Sequence, residues 1–146
     1  MNEEEIAKLT LDAAFAVHRE RGPGLLESVY ECAMAVELRR LGLETERQVA
    51  IPVFYHGERL EIGFRADLIV AKRVLVELKS VEIIQPIFKK TTLTYLRLIP
   101  LRLEFLINFN ASLLKDGITR IVHQLPDSSF PSSRPSRASR DLDAVS

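Results

Sequence analysis

Residues 65–80, RADLIVAKRVLVELKS, hold an aspartate, a glutamate and a lysine within two apolar runs that read as paired β-strands. Charges are seldom committed to apolar strands without a partner or a metal. In the second run Val74, Val76 and Leu78 alternate with Leu75, Glu77 and Lys79, so the period of two sets Glu77 and Lys79 on one face. Asp67 lies on the preceding run, and the short Ala71-Lys72-Arg73 connection can fold that run back against the second. Two carboxylates and one ammonium then meet at the edge of an apolar sheet. That is the chemistry of a site that holds Mg²⁺ or Mn²⁺ and deprotonates a water for phosphodiester attack.

Working outward, Ile6, Leu9, Ala13, Ala16 and Val17 recur at helical spacing between Glu4 and about Arg19, and Gly22-Pro23-Gly24 ends that helix. A second helix is expected from about Leu25 to Leu41, with Leu26, Val29, Tyr30, Ala33 and Val36 as its apolar stripe and Gly42 as its C-terminal cap. The period then shortens to two through Val49, Ile51 and Val53, and His56-Gly57-Glu58 supplies a turn before the run from Arg59 to Phe64. After Lys79 a third helix is expected over about Ile83–Leu98, its stripe Ile84, Ile87, Phe88, Thr91 and Tyr95, with Pro86 in the first turn. Leu101, Leu103, Phe105, Ile107 and Phe109 alternate through a further strand, and Ile118–Val122 forms one more after Asp116-Gly117. The order of elements is that of a small mixed α/β domain.

With 146 residues, 47% hydrophobic and 27% charged, the chain can bury one core, so a single domain over residues 1–124 is expected. Residues 125–146 are rich in serine, proline and arginine, without apolar periodicity, and are expected to be a disordered tail. The one cysteine, Cys32, has no internal partner and no metal-ligand spacing; packing is its expected role. No secretory leader or membrane-spanning run is evident, so a cytoplasmic protein without a membrane partner is expected. Lys plus Arg equals Asp plus Glu at 20 each, which supplies no global positive field for nucleic acid and leaves local clusters such as Lys72, Arg73, Lys89, Lys90 and Arg97 to decide.

Asp67 followed by Glu77-Leu78-Lys79 resembles the active-site signature of the PD-(D/E)XK nucleases, with Ala66 where the family name has proline. Gly24-Leu25-Leu26-Glu27-Ser28-Val29-Tyr30 resembles the G-x-x-E-x-x-Y motif of the small GxxExxY proteins within that group. The likeness extends through Val17-His18, Gly22-Pro23-Gly24, Gln48-Val49, Arg65-Ala66-Asp67, Tyr95-Leu96, Leu106-Ile107-Asn108-Phe109, Asp116-Gly117 and Arg120. It implies an α/β, restriction-endonuclease-like PD-(D/E)XK core, a mixed central β-sheet flanked by helices. It further implies a nuclease whose Asp67, Glu77 and Leu78 carbonyl hold Mg²⁺ or Mn²⁺, with Glu27, projecting from the second helix opposite its apolar stripe, adding a carboxylate. Lys79 would orient or activate the attacking water. Tyr30, Arg65, Lys89, Lys90, Thr91 and Tyr95 would stand on the substrate side, and nucleic acid, DNA before RNA, would be the partner. Relatives commonly carry glutamine where Thr91 stands here, four residues before Tyr95, which shifts phosphate positioning toward Lys89, Lys90 or Gln85.

Each residue also has a plainer reading. Glu77 and Lys79 can be the solvent face of a one-sided strand, Glu27 a first-turn residue favoured by the helix dipole, His18 a residue near a helix C-terminus and Asn108 a strand-end hydrogen-bonder. Two rivals to a metal-dependent nuclease therefore stand: a nuclease-fold module that binds nucleic acid with weakened turnover, and a metal-free interaction protein that dimerises through Leu101–Phe109 or the first helix.

Overall fold

A computed structural model describes residues 1–61 and 63–123; the expected tail at 125–146 lies outside the described residues. Two helices come first, α1 (Glu3–Arg21) and α2 (Glu27–Arg40). A capping box starts α1: the Asn2 side chain accepts from the Glu5 N–H at 2.8 Å, and the Glu5 carboxylate accepts from the Asn2 N–H. At the end of α2, Leu43 N–H donates to Leu38 C=O and Gly42 N–H to Arg39 C=O, both at 2.9 Å. This closure needs a left-handed residue, and Gly42 has φ 80°.

Strand β1 (Thr45–Ile51) leads into a separate hairpin, β2 (Phe54–Tyr55) and β3 (Glu58–Arg59), and then β4 (Phe64–Val70) and β5 (Val74–Lys79). The run expected over Arg59–Phe64 thus divides between the hairpin and β4. Helix α3 (Pro86–Leu96) crosses over to β6 (Leu103–Asn108), and a 3₁₀ turn at Leu114–Gly117 precedes β7 (Ile118–Val122). The five-stranded sheet has the order β1-β4-β5-β6-β7, with β5 and β6 parallel and the other neighbours antiparallel. A helical crossover is what a parallel pair requires, and α3 supplies it. The sheet is mixed and flanked by helices, as expected.

One face of the sheet packs Leu68, Val70, Val74, Val76, Leu103, Phe105 and Ile107 against α1 and α2. The other packs Ile69, Leu75 and Ile121 against Leu93 and Leu96 of α3. Sandwiched between β5 and β7, β6 is buried along its whole length, so the expected alternation there is between two covered faces and none is open to a dimer partner. Ile6, Ala13 and Val17 of α1 are likewise turned into the core.

Two helical stripes differ from expectation. On α2 the buried side chains are Tyr30, Glu31, Met34 and Leu38, while Leu26, Val29 and Val36 are exposed. On α3 Leu93 and Leu96 are buried, while Ile87 and Phe88 are exposed and Thr91 faces solvent. In both helices apolar residues occupy more than one face, so periodicity alone could not choose which face meets the sheet.

Candidate active site at the β4–β5 junction

β4 and β5 pair from Val70↔Val74 to Leu68↔Val76, and the ladder stops one step before Asp67 and Glu77 would face each other. Side chains take over the backbone's hydrogen bonds there. The Asp67 N–H donates to Glu77 Oε1 at 3.1 Å, and the Leu78 N–H donates to Asp67 Oδ2 at 2.8 Å. Each carboxylate therefore satisfies an amide of the opposite strand that would otherwise be orphaned at a half-buried position.

The β1–β4 ladder is interrupted at the same place. Arg47 pairs with Leu68 and Val49 with Ala66, while Gln48 and Asp67 between them are unpaired. Gln48 has φ 49°, and the alternation of faces changes phase here: Ala66 packs on the α3 face, whereas Leu68 and Val70 pack on the α1–α2 face. A left-handed non-glycine residue persists only when its surroundings hold it. The Gln48 carbonyl accepts from Arg65 Nη1 at 2.9 Å, and its side-chain amide donates to Asp67 Oδ1 at 3.2 Å and to Glu31 Oε1.

Helix α2 contributes Glu27 and Glu31, one turn apart on the side that meets the sheet. This corrects the expectation that Glu27 projects opposite the buried stripe, because that stripe runs through Glu31, Met34 and Leu38. Glu27 Oε2 accepts the Ser80 N–H at 3.2 Å, and Ser80 Oγ donates to the Leu25 carbonyl at 2.6 Å. Glu31 Oε2 accepts from Arg47 Nε and Nη2 at 3.1 and 2.8 Å. Sequence reasoning missed Glu31, and it named Gln48 only as part of the Gln48-Val49 likeness, with no site role; the available signals are a second glutamate four residues after Glu27 and a polar Glu46-Arg47-Gln48 run inside a strand.

Tyr30 is completely buried and has no surface to offer a substrate. Its hydroxyl donates to the Gly22 carbonyl at 2.6 Å and accepts from the Leu25 N–H at 3.1 Å, and its ring stacks on Phe109 with centroids 4.4 Å apart. It thereby fastens the loop that places Glu27. Lys79 Nζ lies 4.6 Å from the centroid of the Phe88 ring on α3. Tyr95 stacks on Phe64 at 4.5 Å, Lys89 is half-buried, and Arg65, Lys90 and Thr91 are exposed. His18 Nε2 is 2.8 Å from the Ala111 carbonyl, and the Asn108 side chain bonds both Val81 N–H and Val81 C=O. Cys32 is exposed beside Arg47, not packed in the core.

Crowding carboxylates in a half-buried junction disfavours their charged forms. Burial, and then the neighbouring Asp67 charge, push Glu77 up to about 8. Burial also raises Asp67, with the Leu78 N–H and Gln48 opposing it and the Glu31 and Glu27 charges adding to it. Glu104 on β6 stands between Leu75 and Ile121 on the α3 face, fully buried, with no hydrogen-bond partner for either oxygen among the described residues, and burial pushes it up to about 10.

The residues expected to hold the cation are thus neighbours but do not form a cage. Among the described residues no group of three or more His, Cys, Asp and Glu side chains is arranged to hold a metal ion. Asp67 and Glu77 are occupied with main-chain amides, Glu27 with Ser80, and Leu78 enters through its N–H. This donor set fits a hydrogen-bonded strand junction rather than divalent coordination, which needs several oxygens turned on one point.

Among the described residues no helix is long and apolar enough to cross a membrane. No curated protein and no solved structure matches the chain. A family model described as PD-(D/E)XK nuclease superfamily matches residues 4–121, from the first turn of α1 into β7 and across the whole junction. With that match spanning α1, α2 and α3, the broken ladders and the Asp67, Glu77 and Lys79 positions, the chain belongs to the PD-(D/E)XK nuclease superfamily.

Proposed function

We propose that this protein is a nucleic-acid-binding module on a nuclease fold, DNA being the favoured polymer, in which phosphodiester hydrolysis is weakened. The observation that carries this reading is the engagement of Asp67 and Glu77 with the Leu78 and Asp67 amides, which turns the family's two acidic positions to holding strands together. Thr91 adds support, since its short, exposed side chain stands where the resemblance to the GxxExxY proteins implies a longer glutamine. The overall neutrality of the chain supports modest, local contact with phosphate rather than tight nonspecific binding.

A second reading, a Mg²⁺- or Mn²⁺-dependent nuclease, is favoured by one observation: Asp67, Glu77, Lys79 and the Ser80-bound Glu27 lie at the same end of β4 and β5. It requires both carboxylates to leave their amide partners. Isothermal titration of Mn²⁺ into the wild type and Glu77→Ala, with assays on single-stranded, duplex and branched DNA, separates the two. The first reading expects nucleic-acid binding without divalent cation and no Glu77-dependent heat. Cleavage that requires Mg²⁺ and disappears in Asp67→Ala and Lys79→Ala would replace it with the second.

A further inference from the structure

The β2–β3 hairpin stands apart from the five-stranded sheet and walls a cavity of about 170 Å³ at the outer ends of β1 and β4. The cavity is lined by Arg59, Leu60 and Glu61 from the hairpin side, by Gly63 just before β4, and by Ile51 and Arg65 of the sheet. Gly63 keeps it tight, because a Cβ there would lie 2.6 Å from the Ile51 carbonyl oxygen. Two cations face one anion, and among the described residues neither Arg59 nor Arg65 has an ion-pair partner. A guanidinium carries five N–H donors in a fork that suits phosphate, and Arg65 gives one of them to the Gln48 carbonyl. Through Gln48 the cavity is joined to the junction, since the same residue's side chain bonds Asp67.

The hairpin also displays an aromatic ring that its own fold does not need. Phe54 is 59% exposed and is the cross-strand partner of Arg59, so ring and guanidinium share one face of the ribbon. Tyr55 is paired with Glu58 and lies on the opposite face, edge-on to His56. An exposed ring beside a cation-lined cavity is the combination that binds single strands, where phosphates take the charge and unpaired bases stack on the ring. A duplex keeps its bases stacked inside and offers the ring nothing, and a chain with no net charge lacks the field that duplex binding draws on.

We propose that this hairpin and cavity grip a single strand of nucleic acid, with Arg59 and Arg65 on a backbone phosphate and Phe54 stacked on an adjacent unpaired base. The inference rests on the nucleic-acid-binding reading and gives it a substrate class and a place. It positions the strand at the outer end of β4, from which the backbone runs along Arg65 toward Asp67.

Fluorescence anisotropy without divalent cation tests it, with labelled oligothymidylate, oligouridylate and a hairpin duplex of matching length titrated with the full chain. The wild type is expected to favour the single strands. Phe54→Ala should weaken single-strand binding about tenfold or more, and leave duplex binding unchanged. Arg59→Ala should weaken binding and make its salt dependence shallower by about 0.7 in the log–log slope. Tyr55→Ala, on the other face, should have no effect. Thermal melts matching wild type certify that these exposed substitutions leave the fold intact. Undiminished single-strand affinity in Phe54→Ala, an equal loss in Tyr55→Ala, or a preference for duplex overturns the inference while leaving the nucleic-acid-binding reading in place. A wild type that binds none of the three probes removes both.

Discussion

Gln48 and Asp67 face each other at the gap in the β1–β4 ladder, joined by a 3.2 Å bond between side chains where the backbones do not pair. On its other side the β4–β5 ladder stops at the same residue, where the Asp67 N–H donates to Glu77, and the left-handed Gln48 lets β1 return to register on the far side. A break shared by both strands keeps the pairing offset while moving the side chains to the other face.

Gln48→Ala should therefore lose the bonds to Glu31 and Asp67 while keeping an unfavourable φ, costing about 1–3 kcal/mol. Gln48→Gly loses the same bonds but relieves the backbone, so it should be the milder change. Urea unfolding of both variants checks the order; a glycine variant less stable than the alanine variant would refute the strain assigned to Gln48.

Stability should fall as pH rises from mildly acidic to alkaline. Glu77 and Glu104 both bind protons more tightly folded than unfolded, since both are raised from an ordinary 4.5, to about 8 and about 10. Between 4.5 and 8 the native state thus holds more protons than the unfolded chain at both sites, and the slope is negative. It is bounded by about 1.4 kcal/mol per pH unit for each group. The protonated-state advantage is complete below 4.5; Glu77's share ends near 8 and Glu104's near 10. Urea midpoints measured across this range in metal-free buffer should decline, and Glu104→Gln should flatten the decline. A midpoint that climbs with pH would contradict the assignment.

Glu104→Leu should stabilise the protein by about 1–3 kcal/mol, because it removes a buried acid with no hydrogen-bond partner among the described residues and leaves an aliphatic chain between Leu75 and Ile121. Thermal unfolding provides the measurement, and a lowered midpoint would show that Glu104 has a partner that stabilises the fold.

Tyr30→Phe keeps the stack on Phe109 and strands the Gly22 carbonyl and Leu25 amide. A loss of about 1–3 kcal/mol is expected, with faster amide exchange at Leu25 and Ser80, because the loop carrying Glu27 is no longer tied. Unchanged exchange at both amides would mean that Tyr30 does not position Glu27.

The order of elements was legible in the chain because each rests on a local signal: the Gly22-Pro23-Gly24 break, the Gly42 cap, the His56-Gly57 turn and Pro86 at the start of α3. The motif positions could be placed on their elements for the same reason. Which face of α2 and α3 meets the sheet was not legible, since Leu26, Val29, Ile87 and Phe88 are as apolar as the residues that are buried.

The sequence alone determined a helix-first α/β domain and put Asp67, Glu77 and Lys79 on adjacent strands, because turn chemistry and period-two spacing act over a few residues. Only the tertiary structure decided what those carboxylates do. Gln48, Glu31 and Ser80 come from segments remote from one another along the chain, and their hydrogen bonds follow from where the strands part. A carboxylate's partner is set by the nearest unsatisfied donor in space, and here those donors are the main-chain amides of Asp67 and Leu78.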